Sequence, residues 1–106
     1  MVRDYIYVDD VADVLLDILE SPREQRIYNV GSGHGTSISE MVRALKRVLP
    51  HLATEHGGPT PEGFVQRSIL NIDRLQKALG PLSLKNVREG LDAHLTEIRF
   101  AKNTRT

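Results

Sequence analysis

The run Arg3-Asp4-Tyr5-Ile6-Tyr7-Val8-Asp9-Asp10-Val11-Ala12 constrains the fold more than any other part of the chain. Its residues 5–8 are aromatic and β-branched and predict a short strand. No spacer separates them from two carboxylates, Asp9 and Asp10, which offer a helix N-cap and favourable charge at a helix start. Val11, Val14, Leu15, Ile18 and Leu19 then recur at helical spacing. A strand feeding straight into an amphipathic helix is half of a β-α unit, so the class is α/β before anything else is read. With only Met1 and Val2 ahead of it, this unit would sit deep inside a larger fold.

The remaining elements follow from turn and cap chemistry. Ser21-Pro22 ends the first helix. Residues 27–30 (Ile-Tyr-Asn-Val) predict a second strand, closed by a turn holding Gly31, Gly33 and Gly35. Ser37-Ile38-Ser39-Glu40 is a capping box, in which the Ser37 hydroxyl takes the Glu40 amide and the Glu40 side chain reaches back. Behind it Ile38, Met41, Val42, Leu45, Val48 and Leu49 form one stripe that Pro50 stops. A weak strand is expected at 52–55, a loop at 56–63 and a third short strand at 68–70. Asn71 caps a helix over 72–79, stopped by Gly80. Ser83 caps a last helix with the stripe Leu84, Val87, Leu91, Leu95 and Ile98, and Gly90 within it signals close packing. A polar tail occupies 101–106. The order is β-α-β-α-β-α-α: a thin sheet with flanking helices, patterned like part of a larger sheet, with residues 1–106 forming one segment.

Composition narrows the function classes. The 106 residues carry 14 basic and 14 acidic side chains, a formal charge of zero, without a basic stripe interleaved with aromatics. That gives no electrostatic support for nucleic-acid or anionic-membrane binding. No apolar run is long enough to span a bilayer, so a cytoplasmic protein is expected. The absence of cysteine excludes disulfides and thiolate metal sites.

Several motifs suggest chemistry and each has a plainer explanation. Gly31, Gly33 and Gly35 follow a strand and precede a helix, as in a dinucleotide phosphate loop, but the G-x-G-x-x-G spacing requires glycine where Thr36 stands, and no acidic ribose ligand follows at the expected distance. A tight turn with close backbone approach accounts for them better. Arg3 presents a planar fork for phosphate oxygens; its plain alternative is a surface pair with Asp4. Asp9, Asp10 and Asp13 fit capping and dipole compensation better than a metal site. His34, His51, His56 and His94 lack ligand spacing. Tyr5, Tyr7 and Tyr28 are not followed four residues later by lysine.

Four pieces of the chain together resemble the extended short-chain dehydrogenase/reductases, the NAD-dependent sugar-nucleotide epimerases and dehydratases. Residues 3–10 look like the family's Arg-Asp-aromatic-x-His/Tyr-Val-x-Asp segment. Residues 27–33 look like its Tyr-Asn-Val-Gly-Ser-Gly turn. Leu70-Asn71-Ile72-Asp73-Arg74-Leu75 with Leu79-Gly80 resembles its Ala-Asp-Ile-Ser-Lys-Ala helix, and Ser83-Leu84 with Glu89-Gly90-Leu91 its final helix.

The resemblance, nearest to UDP-glucose 4-epimerases, implies that Arg3 grips a nucleotide diphosphate, Tyr5 lines the sugar-nucleotide pocket and Ile38 packs near the base. It also exposes departures. Pro61 and Phe64 stand where the family places a second phosphate arginine and a ribose aspartate; Arg67, three residues on, is the candidate substitute. The glycine-rich NAD loop and the Tyr-x-x-x-Lys pair are absent. The expectation is the C-terminal, nucleotide-sugar-binding part of an NAD-dependent enzyme, without its N-terminal cofactor domain. Such a piece would be inactive alone, bind no NAD or metal by itself, and self-associate through uncovered edges. The alternative is a free-standing, non-catalytic α/β module that binds a nucleotide sugar or a protein.

Overall fold

The computed structural model describes residues 1–20 and 27–104. The elements run β1 (Val2–Asp4), α1 (Val8–Glu20), β2 (Gly35–Ser37), α2 (Ile38–Val48), β3 (Arg67–Ser68), α3 (Asp73–Leu79) and α4 (Val87–Thr104). The class and the order of elements are those expected from the sequence, but the strands lie elsewhere. The sheet order is β2-β1-β3, with β1 antiparallel to β2 and parallel to β3.

Residues 5–8 do not form the first strand. The pairing run ends at Asp4, and the Tyr7 carbonyl already accepts from the amides of Asp10 (3.0 Å) and Val11 (3.2 Å), so the helix starts at Val8. Asp9 and Asp10 therefore lie inside the first turn rather than at the cap. Residues 27–30 are not a strand either. Their contacts are made by side chains: Arg74 Nη1 donates to the Ile27 carbonyl at 3.2 Å, and Asn29 Nδ2 to the Asn71 carbonyl at 3.2 Å. Strand propensity without a neighbouring strand to pair with does not make a ladder. Residues 52–55 are exposed and form no strand. The predicted stop of α1 at Ser21-Pro22 lies outside the described residues.

The helix signals fared better. Ser37 caps α2, its hydroxyl accepting from the Glu40 amide at 3.1 Å. Gly80 ends α3 at φ 79°, its amide donating to Gln76. Asn71 Oδ1 accepts from the Asp73 amide at 2.9 Å, but the N-cap position of α3 is Ile72, which makes no side-chain cap bond, so the expected Asn71 cap lies one residue too early. The cap of α4 is Asn86, not Ser83: Asn86 Oδ1 takes the Glu89 amide (2.8 Å) and Glu89 Oε1 takes the Asn86 amide (3.1 Å). This is a second capping box, formed by an asparagine at the position usually held by Ser or Thr. α4 also runs through Thr104, where a polar tail was expected.

The core is small. Among the described residues Val14, Ile72 and Leu75 are the buried apolar side chains, with Ile18, Tyr28, Val30, Leu79, Leu82 and Leu84 packed around them. The radius of gyration is 16.8 Å and the extents are 48 × 45 × 21 Å. A compact chain of this length would have a radius near 13 Å, about 2.2 times N to the power 0.38. The accessible surface is 8433 Å², against roughly 5,900 Å² expected for a compact monomer of this mass. The molecule is a slab with much of its apolar surface uncovered.

Candidate functional site

Asp4, the last residue of β1, organises the site. Its Oδ1 accepts from the Ser32 amide (2.9 Å) and hydroxyl (2.6 Å), and its Oδ2 from the amides of Gly33 (2.9 Å) and Leu70 (3.3 Å). Partial burial alone would raise its carboxyl, but these four donors outweigh that and hold it below the ordinary carboxylate value. One side chain thus ties the end of β1 to the glycine turn and to the segment after β3. The surface pair of Asp4 with Arg3 is not formed; Arg3 Nη1 donates instead to the Val2 carbonyl at 2.9 Å.

The glycine turn is packed from within. A Cβ on Gly31 would meet Leu70 Cδ1 at 2.6 Å and Asp4 Oδ2 at 2.9 Å; one on Gly35 would meet Ile69 Cδ1 at 2.5 Å and Val2 Cγ1 at 2.7 Å. The close backbone approach that these glycines permit is therefore to the chain's own side chains, and Thr36 is committed to β2. The turn does not fit a dinucleotide, and no chemical step is assigned to NAD within this chain.

Tyr5 follows Asp4 and stands between two cavities. The larger, about 470 Å³, is bounded by Tyr5, Ser32, His34, Thr36, Gln76 and Arg88, among others. The smaller, about 280 Å³, is mostly apolar and lies between residues 5–8, Met41 and the start of α4. Tyr7 closes that side. Its hydroxyl donates to Glu97 Oε1 at 2.9 Å, and Lys85 Nζ sits 5.4 Å from its ring centre. Reduced solvation, then the Glu97 carboxylate and Asp9, push the Tyr7 hydroxyl up to about 12. Tyr7 is thus the opposite of a tyrosine poised to lose a proton near neutral pH.

Asp10 is buried at 4% exposure. Its Oδ2 accepts from the Lys85 amide at 2.7 Å, and its Oδ1 lies 3.7 Å from Lys85 Nζ. It anchors α1 to the segment leading into α4, so it does more than compensate a dipole.

Of the four residues singled out from the sequence, Tyr5 alone borders the larger cleft. Arg3 is half-buried in β1, and the register puts its Cβ on the same face as Thr36 and Ser68. Arg67 pairs with Val2 in β3 and so falls on the opposite face, exposed. Ile38 opens α2 at 47% exposure and borders neither cavity. Sequence reasoning missed Asp4 and Asp10 as anchors. For Asp10 a signal existed: it lies at i, i+4, i+8 with Val14 and Ile18, which puts it on the buried face of α1. No such periodicity marks Asp4. Among the described residues no group of three or more His, Cys, Asp or Glu side chains is arranged to hold a metal, and no helix is long and apolar enough to cross a membrane.

Comparison with known proteins places this arrangement. The sequence profile of the NAD dependent epimerase/dehydratase family matches residues 1–31, the stretch containing β1, Asp4, Tyr5 and α1. The chain is 36% identical to ADP-L-glycero-D-manno-heptose-6-epimerase of Cupriavidus pinatubonensis over 78 residues, 73% of this chain and 23% of that protein. It is 48% identical to UDP-arabinose 4-epimerase 1 of Arabidopsis thaliana over 48 residues, 43% of this chain and 12% of that protein. The crystal structure of UDP-glucose 4-epimerase from Thermotoga maritima with UDP-glucose superposes on 94% of the chain at a TM-score of 0.79 and 30% identity, covering 32% of that protein. The chain therefore spans about a third or less of the proteins it matches. By both sequence and fold, the chain belongs to the NAD-dependent epimerase/dehydratase family, matching one part of the length of its members.

Proposed function

We propose that this chain supplies the nucleotide-sugar-binding part of an NAD-dependent sugar-nucleotide epimerase or dehydratase. Arg3 binds the diphosphate and Tyr5 forms the wall of the sugar-nucleotide cleft. Ile38 contributes apolar contact toward the base, and Arg67, on the other face of the sheet, is the weaker phosphate candidate. NAD, held by residues outside this chain, would supply the hydride acceptor for a sugar carbon. This chain's share is binding and orientation, and it does not turn over substrate by itself.

The observation that carries the reading is the likeness, over nearly the whole chain, to an epimerase solved with UDP-glucose, with Tyr5 on the wall of the larger cleft. The opposite sheet faces of Arg3 and Arg67 make Arg3 the stronger of the two phosphate candidates. The uncovered surface supports self-association of the isolated chain: the excess over a compact monomer is about 2,500 Å², the scale of a permanent interface.

Isothermal calorimetry with UDP-glucose, UDP and NAD tests the reading. UDP-glucose should bind and NAD should not. Arg3→Ala should weaken UDP-glucose roughly 10- to 100-fold, the loss of a charge-assisted bond worth about 1.5–3 kcal/mol. UDP-glucose affinity indifferent to both Arg3→Ala and Tyr5→Ala, or epimerase turnover by the purified chain, refutes it.

A further inference from the structure

The cleft and the sheet leave one charged cluster unused. A hollow of about 240 Å³ lies between α2 and α4, lined by Glu40, Arg43, Ala44 and Arg47 of α2 and Arg88 of α4. Three arginines thus line one small concavity with one glutamate. Glu40 is already engaged, its side chain lying 3.2 Å from the Ser37 hydroxyl in the capping box. Among the described residues, none of the three guanidinium groups makes a hydrogen bond or ion pair; the one ion pair among the described residues joins Lys85 and Asp10.

Helix electrostatics do not account for this placement. Arg43 and Arg47 are four apart on α2, where like charges destabilise each other. Arg88 is in the first turn of α4, where the helix dipole disfavours a cation. Arg47 alone, in the last turn of α2, has a favourable dipole position. The positive end of α4 adds to the field of the guanidinium groups. The hollow is therefore a local positive well with a formal surplus of two charges, three cations less Glu40, and it suits a small anion with at least two negative charges. Guanidinium forks match phosphate oxygens bidentately.

We propose that Arg43, Arg47 and Arg88 form a phosphoanion-binding site, taking a diphosphate group either as a free ion or as part of a nucleotide. The site is distinct from the Arg3 contact, since Arg3 borders neither this hollow nor the larger cleft. It adjoins that cleft, because Glu40, Ala44 and Arg88 line both.

Calorimetric titration with inorganic pyrophosphate at low ionic strength is the direct test, with UDP as a parallel arm and circular dichroism confirming that each variant is folded. The expected result is saturable one-site binding, weakened at least tenfold by the double change Arg43→Gln/Arg47→Gln and by Arg88→Gln. Arg99→Gln, about three turns along α4, should leave it unchanged. UDP weakened by the hollow variants assigns the nucleotide diphosphate to this site. UDP weakened only by Arg3→Ala, with pyrophosphate unaffected by that change, leaves two separate sites, and the proposal stands with the free ion as ligand. Absence of saturation, an equal loss in Arg99→Gln, or pyrophosphate binding abolished by Arg3→Ala but not by the hollow variants overturns it.

Discussion

Removing the Asp4 carboxylate should destabilise this chain more than any other single change in the sheet. Four donors converge on its two oxygens: the Ser32 amide and hydroxyl, and the amides of Gly33 and Leu70. A hydrogen bond to a charged group contributes about 1.5–3 kcal/mol, and a buried donor left unpaired costs about 1–3 kcal/mol. The four are not additive, and water replaces part of what is lost at this half-buried position. Asp4→Ala should therefore cost about 3–5 kcal/mol, a large fraction of the roughly 5–15 kcal/mol that holds a small domain together. Asp4→Asn should cost less, about 2–3 kcal/mol, because one oxygen can stay with Ser32 while the amide nitrogen faces two donors. The same carboxylate carries a pH signature. Its folded-state pKa is lowered, so its contribution is complete above the unfolded value of about 3.9 and is lost as pH falls through the folded value. Urea denaturation of the native chain and Asp4→Asn at a series of pH values isolates this term, since other carboxylates titrate equally in both. The stability gap should be flat above about pH 4–5 and narrow below it. A cost under about 1 kcal/mol for Asp4→Ala, or a gap that widens on acidification, would refute the reasoning.

Three further outcomes follow from the packing. Gly31→Ala should cost about 1–3 kcal/mol by overpacking, measured by urea denaturation, because its Cβ would lie 2.6 Å from Leu70 Cδ1. Gly90→Ala should be neutral or raise the melting temperature by a few degrees: its Cβ would meet Tyr7 Cβ at 3.4 Å, an ordinary contact, while helix propensity gains up to about 1 kcal/mol. The double change Leu15→Asp/Leu19→Asp, at side chains 50% and 81% exposed, should abolish concentration-dependent association in light scattering while preserving the helical circular dichroism signal; unchanged association would locate the contact elsewhere.

What the sequence made legible was governed by local physics. The Ser37 cap and the Gly80 stop depend on atoms within a few residues of one another, and both are present in the structure; Asn71 makes its local bond to the Asp73 amide, but one residue early, because Ile72 holds the N-cap position of α3 without a side-chain bond. The strands were misplaced because pairing depends on what lies alongside. Val2–Asp4 has weak strand character but two neighbours, while residues 27–30 have strong strand character and none among the described residues. Asn86 displaced Ser83 as the α4 cap because Glu89 stands three residues after Asn86 and completes a capping box with it. Tyr5 lies on a cleft wall, but which sheet face carries Arg3 and which carries Arg67 depends on a register that no single strand encodes.

α1 shows why so small a core can coexist with such definite geometry. Asp10, Val14 and Ile18 form its inner line, so the helix is seated by one carboxylate bonded to Lys85 as much as by apolar contact. Its outer line, Val8, Ala12, Leu15, Leu16 and Leu19, is just as apolar and just as regular, yet it is exposed. A helix apolar on both sides is patterned for burial on both. Polar anchors at Asp4 and Asp10 fix the elements on the one side where this chain supplies a neighbour. These anchors are directional and hold position without requiring a large buried area, whereas the hydrophobic term scales with area and here is spent on one face only. The geometry of the cleft beside Tyr5 therefore depends chiefly on two aspartates, and the free energy still available to the outer stripe of α1 would favour covering that face.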